Sequence, residues 1–458
     1  MKKYGLGFDN ESIKESIIND YTGRNHNLRK FINFLNSQKS FSKIALDGNW
    51  GSGKTYFIKQ LQYILDANNR QSLKNIENLS WINDLKVDCE VVYFDSWKYE
   101  SENTDPIILL LSAIQKKSII RKMSQNFMDV AGRLVQSATK GVVEQKDIEN
   151  LLKNNDPIDE FKEELDKYLN KLPNKRLVIV IDELDRCKPT YAINLLERVQ
   201  HCLVNDKLTF VFSTNLSELS NTVKQIYGLK FDGDSYLDRF FDYTLLLPEP
   251  DLKNYYDKVI SPDNLDLFDI ANEVAKYFNF TLRQLNHYFS RISLLEKRMN
   301  KLISLGIQVD NEYPKHYFLI KYFATFMIAL KMSNSKDYNE FLKGIKADSI
   351  INFLKKNRSF NFEFNSIILN TKINAKSLKG EMDTNSLNLL KCEKVIGTIY
   401  TGLFNGNEDY QSFNYPVVPG MKIGFSNSEG NKIRDKNYLL DIVSLLDIVS
   451  LIGENIEY

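Results

Sequence analysis

Apolar residues near the start of the chain recur three and four positions apart. Ile13, Ile17, Ile18, Leu28, Phe31, Ile32 and Leu35 predict amphipathic helix over residues 11–37. The pattern then shifts to continuous apolar runs. F-S-K-I-A-L-D, residues 41–47, reads as a short buried strand running into a glycine-rich stretch, with helix expected over 55–64. C-E-V-V-Y-F-D (89–95) is a second strand, and a largely helical pattern fills 107–172. R-L-V-I-V-I-D (176–182) is apolar throughout, as a central parallel strand buried on both faces should be. Helix is expected at 192–203, a fourth strand at L-T-F-V-F-S-T-N (208–215) and a fifth at 243–247. Strands alternating with helices predict an α/β fold, an open and mainly parallel sheet covered on both faces.

Beyond residue 251 the strand runs stop. Residues 265–299 carry Leu282, Leu285, Phe289, Ile292, Leu294 and Leu295 at helical spacing, and 313–357 continue as helix. Residues 360–430 are rich in Asn, Ser and Gly and resist assignment, although V-V-P-G at 417–420 marks a turn. The hexamer L-L-D-I-V-S occurs at 439–444 and again at 445–450, which matches no solenoid period and reads as a terminal amphipathic helix. The expected organisation is a core over 1–250 with a helical insertion at about 105–172. A helical lid over 251–300 and a mainly helical domain over 301–458 complete it.

Composition narrows the classes. The 458 residues are 43% hydrophobic and 26% charged, ordinary for globular chains. Sixty basic residues against fifty-nine acidic give a net charge of +1, which supports no whole-surface field for nucleic acid or membrane. Cys89, Cys187, Cys202 and Cys392 show no C-x-x-C spacing, and His26, His201, His287 and His316 form no zinc pattern. The N-terminal M-K-K-Y-G-L-G-F-D-N leads into no apolar core, so no signal peptide is expected and a cytoplasmic location is. Y-F-L-I-K-Y-F-A-T-F-M-I-A-L, 317–330, is interrupted by Lys321 and too short to span a bilayer, so a buried helix is expected there.

The chemistry concentrates at three strand ends. Gly48, Gly53, Lys54 and Thr55 satisfy G-x-x-x-x-G-K-[ST], with Asn49, Trp50, Gly51 and Ser52 between the glycines. Glycines permit the backbone conformations that turn several N–H groups onto one phosphate, and a following helix N-terminus favours an anion. Lys54 is expected on the β- and γ-phosphates and the Thr55 hydroxyl on Mg²⁺. The strand 176–182 ends in Asp182, expected to hold that Mg²⁺ through its water shell. Glu183 follows, placed to orient or deprotonate the attacking water. The strand 89–95, intervening in sequence between these two motifs, and the paired Asp182–Glu183 indicate the additional-strand class of P-loop ATPases. No N-K-x-D motif is present to read guanine, so ATP is the expected nucleotide.

With these motifs the chain resembles the KAP family of P-loop NTPases. The resemblance rests on G-N-W-G-S-G-K-T (48–55), V-V-Y-F-D-S-W-K-Y-E (91–100) and I-D-E-L-D-R-C-K-P (181–189), and covers about residues 15–290. It implies an ATPase whose bacterial relatives often act in exclusion or defence against phage beside an effector protein. Two departures stand out. Family members usually carry aspartate where this chain has Glu183, which keeps a carboxylate but alters its reach. Many members insert transmembrane helices between the nucleotide motifs. Here residues 107–143 hold Lys116, Lys117, Arg121, Lys122, Arg133 and Lys140, too many charges to cross a bilayer.

Four supporting residues carry alternatives. Asn215, with Thr214 at the end of the strand 208–215, either fixes the attacking water between phosphate and Glu183 or is a strand-end cap. Arg239 either reaches a neighbouring subunit's γ-phosphate or pairs with Asp238 or Asp242. Arg283 either senses the nucleotide from the lid or lies on a solvated helix face. Arg186 is either a subunit contact or a partner of Asp185. Trp50 and Trp97 are expected to pack around the loop rather than stack on a base. The basic stretch 116–122 reads as a solvated face. Together these predict a Mg²⁺-dependent ATPase that forms homo-oligomers, and the family resemblance implies a partner effector. The alternatives are a nucleotide-gated scaffold with little turnover and a DNA-remodelling motor.

Overall fold

A computed structural model describes residues 5–87, 89–100, 104–115, 157–170, 176–260, 265–304, 319–356, 400, 403–404, 413–418, 421–425 and 440. The chain divides into two units, Leu6–Tyr255 and Tyr256–Tyr458 with Met1–Gly5.

The first unit opens with α1 (Asn10–Asn19) and α2 (Asn25–Ser37). The single helical stretch expected over 11–37 is therefore two helices. Asp20 and Gly23 take left-handed φ values of 47° and 69° between them, which ends α1 in a way that periodicity cannot register. Then follow β1 (Ser42–Asp47), α3 (Lys54–Leu65), β2 (Cys89–Asp95), α4 (Pro106–Gln115), α5 (Pro157–Asn170) and β3 (Arg176–Asp182). α6 (Pro189–His201), β4 (Leu208–Thr214), α7 (Leu216–Tyr227), α8 (Gly233–Asp238) and β5 (Tyr243–Leu246) complete the core elements.

The five strands form one sheet in the order β2-β3-β4-β1-β5, and every pairing is parallel. The order amends one step of the sequence argument. β2 intervenes between the two motifs along the chain, but it lies at the sheet edge. The strand inserted between β1 and β3 is β4, so the additional-strand class holds through a different strand.

Alternation along each strand feeds two cores. Ile44, Leu46, Val91, Val178, Val180 and Val211 face one side, where α1, α2 and α3 lay down residues such as Ile17, Leu28, Phe57 and Leu61. Phe94, Ile179, Ile181, Phe210 and Phe212 face the other, against α4, α5, α6 and α7. At roughly 25 cal/mol per Å² of apolar surface removed from water, such two-sided burial is what holds a parallel sheet. The basic stretch 116–122, and the expected insertion over 116–156, lie outside the described residues.

The second unit is helical, with α9 (Leu265–Tyr277), α10 (Leu282–Ser304), α11 (Thr325–Ser333), α12 (Ser335–Leu342) and α13 (Ala347–Lys356). The helix expected over 265–299 breaks at Asn279, whose φ is 51°. Residues 319–324 form a π-helical turn leading into α11. Residues 321–330 are buried here, as expected of a core helix, and the Tyr288 hydroxyl donates to the Thr325 carbonyl at 3.1 Å. β6 (Phe413–Val418) and β7 (Met421–Phe425) pair antiparallel with Val418 opposite Met421; Pro419 and Gly420 of the expected turn lie outside the described residues. The duplicated hexamer lies outside the described residues, apart from residue 440.

Candidate nucleotide site

Because all five strands run parallel, their C-terminal ends share one edge of the sheet, where open α/β folds bind ligands. β1 ends there at Asp47, β3 at Asp182 and β4 at Thr214. The chain leaves β1 through residues 48–53 and enters α3 at Lys54. Gly51 and Gly53 hold φ values of 80° and 93°, in the region where a Cβ is strained, so the two inner glycines of the motif are required by conformation. The loop is tied to β4. The Gly48 N–H donates to the Thr214 carbonyl at 3.3 Å, and the Asp47 carboxylate accepts from the Leu216 N–H at 2.9 Å. Ser52 adds a turn bond from its N–H to the Asn49 carbonyl at 3.2 Å.

Lys54 starts α3 and is buried. Its ammonium donates to the carbonyls of Gly48 and, at 3.3 Å, Asn49. Burial pulls its pKa down, opposed by the charges of Asp185, Asp182, Glu183 and Asp47. Lys54 is thus a partly desolvated cation in the field of four carboxylates.

Asp182 is only 1% exposed. The Tyr93 hydroxyl donates to one of its oxygens at 3.0 Å and the Glu183 N–H to the other at 3.0 Å. Burial pushes its pKa up, while the hydroxyls of Ser213, Thr55 and Tyr93 hold it down. The Thr55 hydroxyl at the start of α3 and the Asp182 carboxylate at the end of β3 therefore meet. A hydroxyl beside a buried carboxylate fits a hard divalent cation that takes its other ligands from water and phosphate.

Glu183 adopts a left-handed conformation, φ 59° and ψ 27°. Non-glycine residues in this region are uncommon, and those that occur cluster at functional sites. Its carboxylate meets the Arg186 Nε at 2.5 Å. Burial raises the Glu183 pKa and Asp182 raises it further, while Arg186 opposes both. Arg186 also lies over the Trp97 ring, 5.6 Å from its centroid. Of the two alternatives for Arg186, the pairing with Asp185 is replaced by one with Glu183. The tight turn Leu184–Arg186 sets residues three apart on one side, so Asp185 turns instead to the phosphate loop and accepts the Trp50 indole N–H. Trp50 clasps the loop to the acidic turn and remains 47% exposed.

The remaining candidates separate. Asn215 is buried after β4, and its side-chain oxygen accepts from the Glu218 N–H at 3.4 Å, capping α7. Its position between the ends of β1 and β3 follows from β4 lying between them. Arg239 follows α8 and is exposed. Asp242, one of its two expected partners, instead accepts the Lys43 N–H at 2.8 Å and lies 3.8 Å from the Lys43 ammonium. Arg283 is exposed on α10, in the second unit. Sequence reasoning missed Tyr93, although alternation could have found it. It precedes Asp95 by two, shares that residue's face of β2, and pairs in register with Val180, two before Asp182. Nothing in the sequence marks Arg24 as buried, with its Nη1 donating to the Ser52 carbonyl at 2.9 Å.

A family model, KAP family P-loop domain, matches residues 21–267, more than half of the chain. The chain belongs to the KAP family. It therefore carries a P-loop NTPase domain, a nucleotide-binding module of the nucleotide-hydrolysing kind. No curated protein matches it. Among the described residues of this KAP chain no helix is long and apolar enough to cross a membrane. The matched region ends within α9, so most of the second unit lies beyond the family domain.

Proposed function

We propose that the chain is a Mg²⁺-dependent ATPase. The observation that carries this reading is the meeting of Thr55 and Asp182 beside Lys54, with Glu183 next in the chain. ATP rather than GTP is favoured by the absence of an N-K-x-D motif. Loop N–H groups and Lys54 bind and orient the phosphates. Mg²⁺, held by Thr55 and through water by Asp182, would neutralise charge developing on the β- and γ-oxygens. Glu183 accepts a proton from the attacking water, and Asn215 orients that water through its side-chain amide. Arg239, exposed next to the sheet, acts on a neighbouring copy of the chain in a homo-oligomer. A role in phage defence with a partner effector in the cytoplasm rests on family resemblance alone. The expected result is steady ATP hydrolysis in Mg²⁺ that falls at least ~100-fold in EDTA, measured as phosphate release. Chelator-insensitive turnover contradicts the metal assignment.

The Glu183–Arg186 ion pair supports a second reading, a nucleotide-gated scaffold with slow turnover. A base tied to its own turn must be released before it can act. Because Arg186 lowers the Glu183 pKa, Arg186→Ala should raise it and move the acid limb of the pH–rate profile to higher pH. An unmoved or lower acid limb means that Glu183 does not set the profile.

A further inference from the structure

The edge strand β2 reaches the site through Tyr93. Tyr93 pairs in register with Val180, and Asp95 with Asp182, so Tyr93, Val180 and Asp182 share one face of the sheet. Val180 packs on the side covered by α3, and Tyr93 is half-buried against the same cluster. From there the Tyr93 hydroxyl reaches along the sheet and donates to Asp182 Oδ2 at 3.0 Å. The other oxygen, Oδ1, accepts the Glu183 N–H at 3.0 Å. One donor on each oxygen fixes the plane of the carboxylate. The first comes from a neighbouring strand and the second from the turn that Asp182 itself opens.

α3 holds the tyrosine in turn. The Lys59 ammonium lies over the Tyr93 ring, 3.5 Å from its centroid, well within the reach of a cation–π contact. Lys59 stands four positions after Thr55 on α3, one turn along the same helix face. The helix that brings the Thr55 hydroxyl to Asp182 therefore also clamps the residue that orients Asp182. Packing accounts for the Tyr93 ring, since phenylalanine would fill the same place. It does not account for the hydroxyl.

We propose that Tyr93 is a positioning residue that holds the Asp182 carboxylate as a Mg²⁺ water shell requires, and so sets the site's preference for Mg²⁺ over larger cations. The assignment rests on the metal-dependent nucleotide reading above and adds what selects the ion. A carboxylate offers about four lone-pair sites, so the bonds from Tyr93 and Glu183 leave about two for the cation's shell. Mg²⁺ demands near-ideal octahedral geometry and keeps several waters, whereas Ca²⁺ takes more oxygens in flexible arrangements. A carboxylate free to rotate serves Ca²⁺ nearly as well as a fixed one. It serves Mg²⁺ poorly.

Calorimetric titration of the full chain with ATP in EDTA, in saturating Mg²⁺ and in saturating Ca²⁺ tests this. Tyr93→Phe keeps the ring beneath Lys59 and removes only the hydroxyl. ATP affinity should fall about tenfold in Mg²⁺, the lower end of what is lost with a partner behind a metal ligand. In Ca²⁺ it should fall less than about threefold, and in EDTA it should stay within about twofold. A tyrosine that merely supports the fold would move all three affinities together, and that result overturns the proposal. Equal losses in Mg²⁺ and Ca²⁺ overturn it too, because the hydroxyl then serves any cation. A wild-type chain that gains affinity from Mg²⁺, with Tyr93→Phe gaining as much, refutes this assignment alone. A wild-type chain that binds ATP equally in EDTA and Mg²⁺ refutes the metal reading and this assignment with it.

Discussion

Lys54→Ala should weaken triphosphate binding by roughly 10–100-fold and lower turnover by at least ~100-fold. The first figure follows from losing a charge-assisted bond worth about 1.5–3 kcal/mol, at 1.4 kcal/mol per factor of ten. The second adds the part of the interaction that grows as charge develops on the transferring phosphoryl group. The geometry makes the expected effect selective. Lys54 lies in the combined field of Asp47, Asp182, Glu183 and Asp185, so its removal leaves an acidic pocket that repels phosphate. The loop itself should survive. Gly48 remains bonded to Thr214, Ser52 to Asn49 and Trp50 to Asp185, all without Lys54. Thermal unfolding within a few degrees of wild type, beside lost binding and turnover, is the expected combination. Wild-type turnover from the purified variant would locate the activity outside this site.

The sheet was legible because its central strands are buried on both faces and bounded by sharp changes of pattern. Residues 89–95 and 176–182 match β2 and β3 as observed, and 41–47 and 208–215 differ from β1 and β4 by one residue. Helix breaks were less legible. Asp20 and Asn279 stop helices by left-handed backbone conformations, which cost an asparagine or aspartate little and leave hydrophobic spacing intact. Strand order also could not be read along the chain. Placement of β4 between β1 and β3 comes from pairing over long separations, and it puts Asn215 between the two motif ends.

Within the site, Gly48, Lys54, Thr55, Asp182 and Glu183 were legible as candidates because the phosphate-loop pattern and a carboxylate pair at a strand end restrict residue type and spacing. Partners were harder. Asp185 and Arg186 are adjacent in sequence and invite pairing, yet the tight turn sends one to Trp50 and the other to Glu183. Trp50 marked the resemblance without revealing its role, since the bond to Asp185 joins residues far apart in sequence. Arg24 is the extreme case. Nothing in its local sequence distinguishes it from a solvated arginine, and only the docking of its turn onto residues 251–254 makes it a buried group.

Glu183→Gln separates turnover from binding, and the expected outcome is turnover lowered by roughly 10²–10⁴ with nucleotide still bound. Gln keeps the length of the side chain and the backbone N–H that donates to Asp182, so the Asp182–Thr55 pair should persist. It removes the proton acceptor and one of the four negative charges acting on Lys54. Affinity for ATP should therefore hold or improve, since like charge near the γ-phosphate opposes binding. The lost pair with Arg186 is partly exposed and should cost little stability. Two measurements on one preparation decide between the readings: phosphate release, and mass by light scattering with and without ATP. An ATPase that times assembly predicts that the variant assembles on ATP and stays assembled while wild type disassembles as ATP is consumed. Variant and wild type releasing phosphate at the same rate would remove Glu183 from the chemistry. Continued ATP-dependent assembly in both would then leave the scaffold as the function of the site.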